Sequence, residues 1–234
     1  MADNIEEIRA RKKALRKAQR GKTVFSDERR KEESRKVAQR LVECINNLQV
    51  KKSHEKGSND PQLENSSSVV HSQVEDLRNC QLLIVNCQFE SLRLSMLVFF
   101  PLPDEPDLRL LYSRWQAKGL RLYLPRMVGD DLEVCRYDSD EDLREGPFHV
   151  LEPTGKAIGK EELESIDVIL VPGMLFDKEG RRLGRGKGYY DRLLATMKGK
   201  AHTIGVCYES QVVDELPVEE HDIRVEKVLW TFSN

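Results

Sequence analysis

The stretch from Val168 to Leu194 constrains the fold more than any other. It begins with the apolar, mostly β-branched run Val168-Ile169-Leu170-Val171, closed by Pro172-Gly173. Such a run predicts a strand buried on both faces, as in a parallel sheet. Asp177-Lys178-Glu179-Gly180 predicts a turn with its glycine last. The series Gly184-Arg185-Gly186-Lys187-Gly188 follows, and Tyr189 to Leu194 then has helical spacing. A strand, a glycine loop and a helix start in succession can hold an anion, because loop N–H groups and the helix dipole converge on one point. Arg182, Arg185 and Lys187 add cationic donors.

Two common phosphate motifs do not fit this loop. Five residues separate Gly180 from Gly186 where a Walker A loop has four, and Gly188 stands where that motif needs Ser or Thr. The dinucleotide pattern G-x-G-x-x-G fails as well, since the spacing here is G-x-G-x-G. On local composition alone, a flexible basic loop with no ligand is the alternative.

Composition narrows the classes. A chain of 234 residues suits one α/β domain or two small ones. Net charge is −2, which gives no global field toward nucleic acid. No apolar stretch approaches the ~18 residues of a membrane span. Early acids and the lack of an apolar leader predict a cytoplasmic, soluble protein. The five cysteines, Cys44, Cys80, Cys87, Cys135 and Cys207, contain no C-x-x-C pair and predict reduced, packed thiols.

Asn4 to Arg20 has helical propensity, a narrow apolar stripe (Ile5, Ile8, Leu15) and a dense basic set that includes Lys12 and Arg16. That set reads as a solvated face or as a nucleic-acid patch, although no aromatic platform accompanies it. Ser26 caps a second helix, expected to end near Leu48, whose Val37, Leu41, Cys44, Ile45 and Leu48 recur at three and four. Lys51 to Ser68 is polar and serine-rich, which predicts a disordered loop. Met96 to Phe100 predicts a buried strand stopped by Pro101, with Glu105 just beyond it. Asp107 to Lys118 predicts an amphipathic helix ended by Gly119, and Leu120 to Leu124 a strand ended by Pro125. Leu132 to Tyr137 and Thr203 to Cys207 predict two more strands. Alternating strands and helices predict a three-layer, Rossmann-like α/β domain with a mostly parallel central sheet and basic N-terminal helices. Ligands in such sheets gather beyond the carboxyl ends of the strands.

The segment Pro172-Gly173, Phe176-Asp177, Gly180 and Arg182 to Asp191 resembles the signature of the 5-formyltetrahydrofolate cyclo-ligase (methenyltetrahydrofolate synthetase) family. Outside residues about 46–87, which look like a disordered insertion in a single domain, the resemblance covers the chain. It implies ATP- and Mg²⁺-dependent cyclisation of 5-formyltetrahydrofolate, polyglutamylated or not, to 5,10-methenyltetrahydrofolate by a monomer that needs neither nucleic acid nor membrane. The resemblance further implies catalytic roles for Arg185 and Lys187. It puts ATP on Lys12, Arg16, Arg182, Gly184, Arg185, Gly186, Lys187, Gly188, Tyr189 and Tyr190. Folate is implied at Phe100, Glu105 and the Arg185–Tyr189 segment, and Mg²⁺ at Asp191 and Asp222. The residues after Glu105 and the ending Trp230-Thr231-Phe232 depart from the family pattern. Two rival readings are a non-catalytic folate- or nucleotide-binding paralogue and an RNA-binding module.

Overall fold

The computed structural model describes residues 5–22, 25–55, 94–197 and 199–231, with backbone alone for 47–55. The chain divides into two compact units, Met1–Ala38 with Ser91–Asn234, and Gln39–Glu90. Most of the insertion expected at about 46–87, with Cys80 and Cys87, lies outside the described residues.

In the larger unit, helix α1 (Ile5–Gln19) and the start of α2 (Asp27–Glu55) precede the sheet. Ser26 Oγ accepts from the Arg29 amide at 3.4 Å, as its position at the head of α2 predicts. The helix expected to end near Leu48 runs to Glu55, so Lys51 to Glu55 are helical and not loop. Lys and Glu at these positions favour a helix once a preceding turn has nucleated it. In the second unit, described over 39–55, Leu41, Cys44 and Ile45 are buried, as the three-and-four spacing requires.

Among the described residues the central sheet has six strands in the order β11-β9-β6-β1-β2-β3. Here β1 is Ser95–Leu97, β2 Arg121–Val128, β3 Asp131–Tyr137, β6 Val168–Val171, β9 His202–Val206 and β11 Lys227–Leu229. All neighbours pair in parallel except β2 and β3. The four residues of β6 are all buried, as a central parallel strand demands. Strand β1 is shorter than expected and ends before Pro101, although Val98 and Phe99 remain buried.

Pro125 does not end β2. The strand continues to Val128, with Pro125 opposite Val134. Val98 N–H bonds the Tyr123 carbonyl, so Tyr123, and by two-residue alternation Pro125, face β1. Proline has no N–H to return to the Val98 carbonyl, so the β1–β2 ladder ends at the Leu97–Tyr123 pair.

Helix α3 (Arg109–Ala117) buries Leu111, Tyr112 and Trp115, and Tyr112 donates to the Phe99 carbonyl at 2.6 Å. A hairpin of β4 (Leu143–Glu145) and β5 (Leu151–Pro153) and the short helix α4 (Lys160–Glu164) lead back to β6. The glycine loop does not follow β6 directly. A small antiparallel pair intervenes, β7 (Leu175–Asp177) with β8 (Arg182–Leu183), joined by the expected turn. The buried Asp177 carboxylate organises that turn, accepting from the Glu179, Arg181 and Leu216 amides at 3.1, 2.9 and 3.1 Å. Strand β10 (Val212–Val213) pairs with β7.

Helix α5 (Tyr189–Met197) buries Leu193, Leu194 and Met197 in the main core with Leu97, Ile169 and Val171. Each such side chain contributes about 1.5–3 kcal/mol when fully buried, which fixes where the helix and the loop before it sit. A second cluster, Leu175, Leu183 and Leu216, receives Leu15 of α1. Cys44, Cys135 and Cys207 are buried free thiols. Among the described residues no helix is long and apolar enough to cross a membrane.

Candidate active site

From β1 the chain moves to β2 on one side, whereas β6 pairs with the other side of β1. The loops after β1 and β6 therefore diverge at a point where strand order reverses, the place where open α/β sheets leave a crevice. A cavity of about 460 Å³ opens there. Its wall includes Phe99 to Glu105 residues after β1, Pro172-Gly173-Met174 after β6, the whole Arg182–Asp191 segment, α1 residues and Asp222.

Every site residue expected from the sequence lies on this wall: Lys12, Arg16, Phe100, Glu105, Arg182, Gly184, Arg185, Gly186, Lys187, Gly188, Tyr189, Tyr190, Asp191 and Asp222. Their chemistry divides the wall. α1 and the glycine loop bring cations, including Arg20, while Phe99, Phe100, Pro125, Met127, Leu132 and Phe148 bring apolar surface. Gly186 and Gly188 have φ of +100° and +69°, which side-chain-bearing residues rarely adopt. The loop so formed runs into the first turn of α5, whose N–H groups have no partner within the helix.

Several of the charged groups hold one another. Lys12, part of a basic set that reads as a solvated face or, by the resemblance, as an ATP contact, is 4% exposed. Its ammonium lies 2.5 Å from Asp222 Oδ2 and 3.0 Å from Glu219 Oε1, and burial is tolerable because both partners are anionic. Glu219 is shared with Arg9 Nε at 2.8 Å. Hydrogen bonding from Arg9 is the main cause that holds the Glu219 carboxyl down to about 2. Arg16 Nε donates to the Gly184 carbonyl at 2.8 Å.

Arg182 donates to Asp191 Oδ1 at 2.9 Å and lies 5.7 Å from the Tyr190 ring centroid. Arg185 pairs with Asp104 and, at 3.3 Å, with Glu105 Oε1. Glu105 Oε2 accepts from the Leu102 amide at 2.9 Å. Burial pushes the Glu105 carboxyl up, outweighing the attraction of the partly exposed Arg185. Arg16, Arg20 and Lys187 form no ion pair among the described residues.

The two tyrosines differ. Tyr189 donates to the Gly129 carbonyl at 3.0 Å and so ties α5 to the turn between β2 and β3. The Tyr190 hydroxyl is buried with no partner, and burial raises its pKa.

Sequence reasoning missed the supports of this site. Gln211 is 1% exposed, and its amide donates to the carbonyls of Asp104, Gly173 and Met174 at 3.1, 3.3 and 3.2 Å. One side chain thereby joins the loop after β1 to the loop after β6. Tyr208 donates to the Glu105 carbonyl at 3.0 Å, and Ser34 Oγ accepts from the Asp107 amide at 2.9 Å. Phe148 was also missed; it is 64% exposed on the cavity wall at φ 59°. Positive φ at a non-glycine residue is the signal of local strain near a site, and no sequence pattern announces it.

Asp191 and Asp222 are the candidate metal carboxylates. Among the described residues no three His, Cys, Asp or Glu side chains gather into a cage. Mg²⁺ takes only one or two protein oxygens and fills its remaining positions with water and ligand oxygens, so two carboxylates beside the glycine loop would be donors of the right kind.

A family model described as the 5-formyltetrahydrofolate cyclo-ligase family matches residues 64–231, beginning within the expected insertion. A mouse 5-formyltetrahydrofolate cyclo-ligase is 30% identical over 147 residues, covering 58% of this chain and 72% of that protein. One from Mycolicibacterium smegmatis is 33% identical over 137 residues, covering 56% and 70%. A solved structure of Aquifex aeolicus 5,10-methenyltetrahydrofolate synthetase superposes with a TM-score of 0.61 at 30% identity, covering 94% of this chain and 89% of that one. With the model spanning most of the chain and the same mixed α/β fold in a solved relative, the chain belongs to the 5-formyltetrahydrofolate cyclo-ligase family of enzymes.

Proposed function

We propose that the protein catalyses ATP- and Mg²⁺-dependent closure of 5-formyltetrahydrofolate to 5,10-methenyltetrahydrofolate, releasing ADP and phosphate. The observation that carries this reading is the convergence of α1, the loop after β1, the glycine loop and Asp222 on one cavity. A formamide carbonyl is a poor electrophile and its oxygen a poor leaving group. Transfer of a phosphoryl group to that oxygen makes it a good leaving group. The amine at position 10 then attacks the formyl carbon, the C–O bond breaks and phosphate departs.

Phosphoryl transfer needs positioning and charge neutralisation more than covalent help. Lys187, exposed and without an ion-pair partner among the described residues, neutralises charge on the transferred group, assisted by Arg185. Lys12 and Arg16 approach the nucleotide phosphates from α1. Phe100 and the apolar wall take the folate ring, with Glu105 as its acceptor. Asp191 and Asp222 would hold Mg²⁺, which would offset phosphate charge. Incubation with 5-formyltetrahydrofolate, ATP and Mg²⁺ tests the reading through methenyl-folate absorbance. Product should appear with stoichiometric ADP; product formation that ignores nucleotide, or none at all, rejects it.

A further inference from the structure

Both carboxylates assigned to the cation are paired with a positive side chain assigned to the nucleotide: Asp222 with Lys12 at 2.5 Å, and Asp191 with Arg182 at 2.9 Å. The first pair is set apart by its surroundings. Asp222 Oδ2 also accepts the Glu219 amide at 2.7 Å, closing the turn that carries both acids. Glu219 holds Lys12 at 3.0 Å and is itself fixed by Arg9 at 2.8 Å. The ammonium therefore has a second anchor and need not move far when Asp222 leaves it. Phosphate brought to Lys12 while Asp222 keeps its charge there would face a like charge at close range, poorly screened in a buried site.

We propose that Lys12 and Asp222 are exchanging partners that couple the nucleotide to the cation: Asp222 masks Lys12 until a divalent cation claims the carboxylate, while Glu219 keeps Lys12 and α1 in position. This rests on the ATP and Mg²⁺ reading above. It assigns Glu219 as a positioning residue, and it gives the substitution of a cation ligand an unusual sign.

Calorimetric titration of the full chain with ATP in EDTA tests the proposal. Asp222→Asn keeps an oxygen for the Glu219 amide but removes the masking charge. It should bind metal-free ATP tighter than wild type, by roughly threefold to tenfold for a partly buried charge pair. The gain should vanish in a Lys12→Met background, which closes a double-mutant cycle. By reciprocity, Lys12→Met alone should bind Mn²⁺ more tightly without nucleotide, read by water-proton relaxation; this arm decides the matter if Asp222→Asn does not fold. Metal-free affinity of Asp222→Asn equal to or below wild type, or a gain that survives Lys12→Met, overturns the exchange. If wild type binds no ATP in either EDTA or Mg²⁺, the nucleotide reading falls and the exchange with it. If wild type binds ATP and the gain is absent, only the exchange falls.

Discussion

Arg16 Nε donates a 2.8 Å hydrogen bond to the carbonyl of Gly184, a residue 168 positions away. The bond fastens the first helix to the glycine loop. It works with Leu15, which packs on Leu175, Leu183 and Leu216 beside the same loop. A helix with no strand to follow it into the sheet is thus held over the cavity by the Leu15 packing and by polar bonds.

Lys187→Ala should lower turnover by roughly two to three orders of magnitude, as loss of a single electrostatic donor does. Folate affinity should change little, because the charge that Lys187 meets is greatest in the transition state. The side chain is exposed and has no ion-pair partner among the described residues, so thermal stability should stay unchanged. Single-turnover kinetics with separate binding titrations checks this, and near-normal turnover would move Lys187 out of the chemistry.

Glu105→Gln should weaken folate binding by roughly ten- to a hundredfold, the range for one hydrogen bond to a buried charged group. The carboxylate accepts from the Leu102 amide on one oxygen and meets Arg185 on the other. An amide cannot do both, since its NH₂ would face one of those donors. Calorimetry with folate and with ATP separately decides it; a fall in ATP affinity alone would put Glu105 at the wrong part of the cavity.

Gln211→Leu should destabilise the protein by about 2–4 kcal/mol, because the buried Tyr208 amide loses its acceptor and three carbonyls lose a donor. KM for folate should rise as well, since the loops after β1 and β6 lose their common tie. Urea unfolding and steady-state kinetics give the two numbers. A destabilised variant with unchanged KM would reduce Gln211 to a core residue.

The Glu219 carboxyl, held down to about 2 by Arg9 and Lys12, predicts a specific acid response. Its folded pKa lies below the ordinary glutamate value of 4.5. Its contribution to stability is therefore present above that value and lost as pH falls toward about 2. The stability difference between wild type and Glu219→Gln should shrink as pH is lowered from about 6 to about 3. A difference independent of pH would mean that the ion pairs add nothing.

What the sequence determined by itself is what depends on neighbours along the chain. The buried β6 run, the Asp177–Gly180 turn, the glycine loop and the apolar stripes of α3 and α5 were all legible, because burial period and turn chemistry are local. The family signature added which residues ought to meet, and the cavity wall brings those residues together. Tertiary structure alone decided the rest. Pro125 sits inside β2 because it falls where the β1 ladder ends, while β2 runs on to Val128 against β3. Lys12 went from a solvated basic face to a buried ion cluster because Glu219 and Asp222, some two hundred residues on, supply the charge that burial requires. Gln211 became the tie between two loops because the strand order opens a crevice between β1 and β6. Partners so distant in sequence leave no local pattern, so only the folded chain could name them.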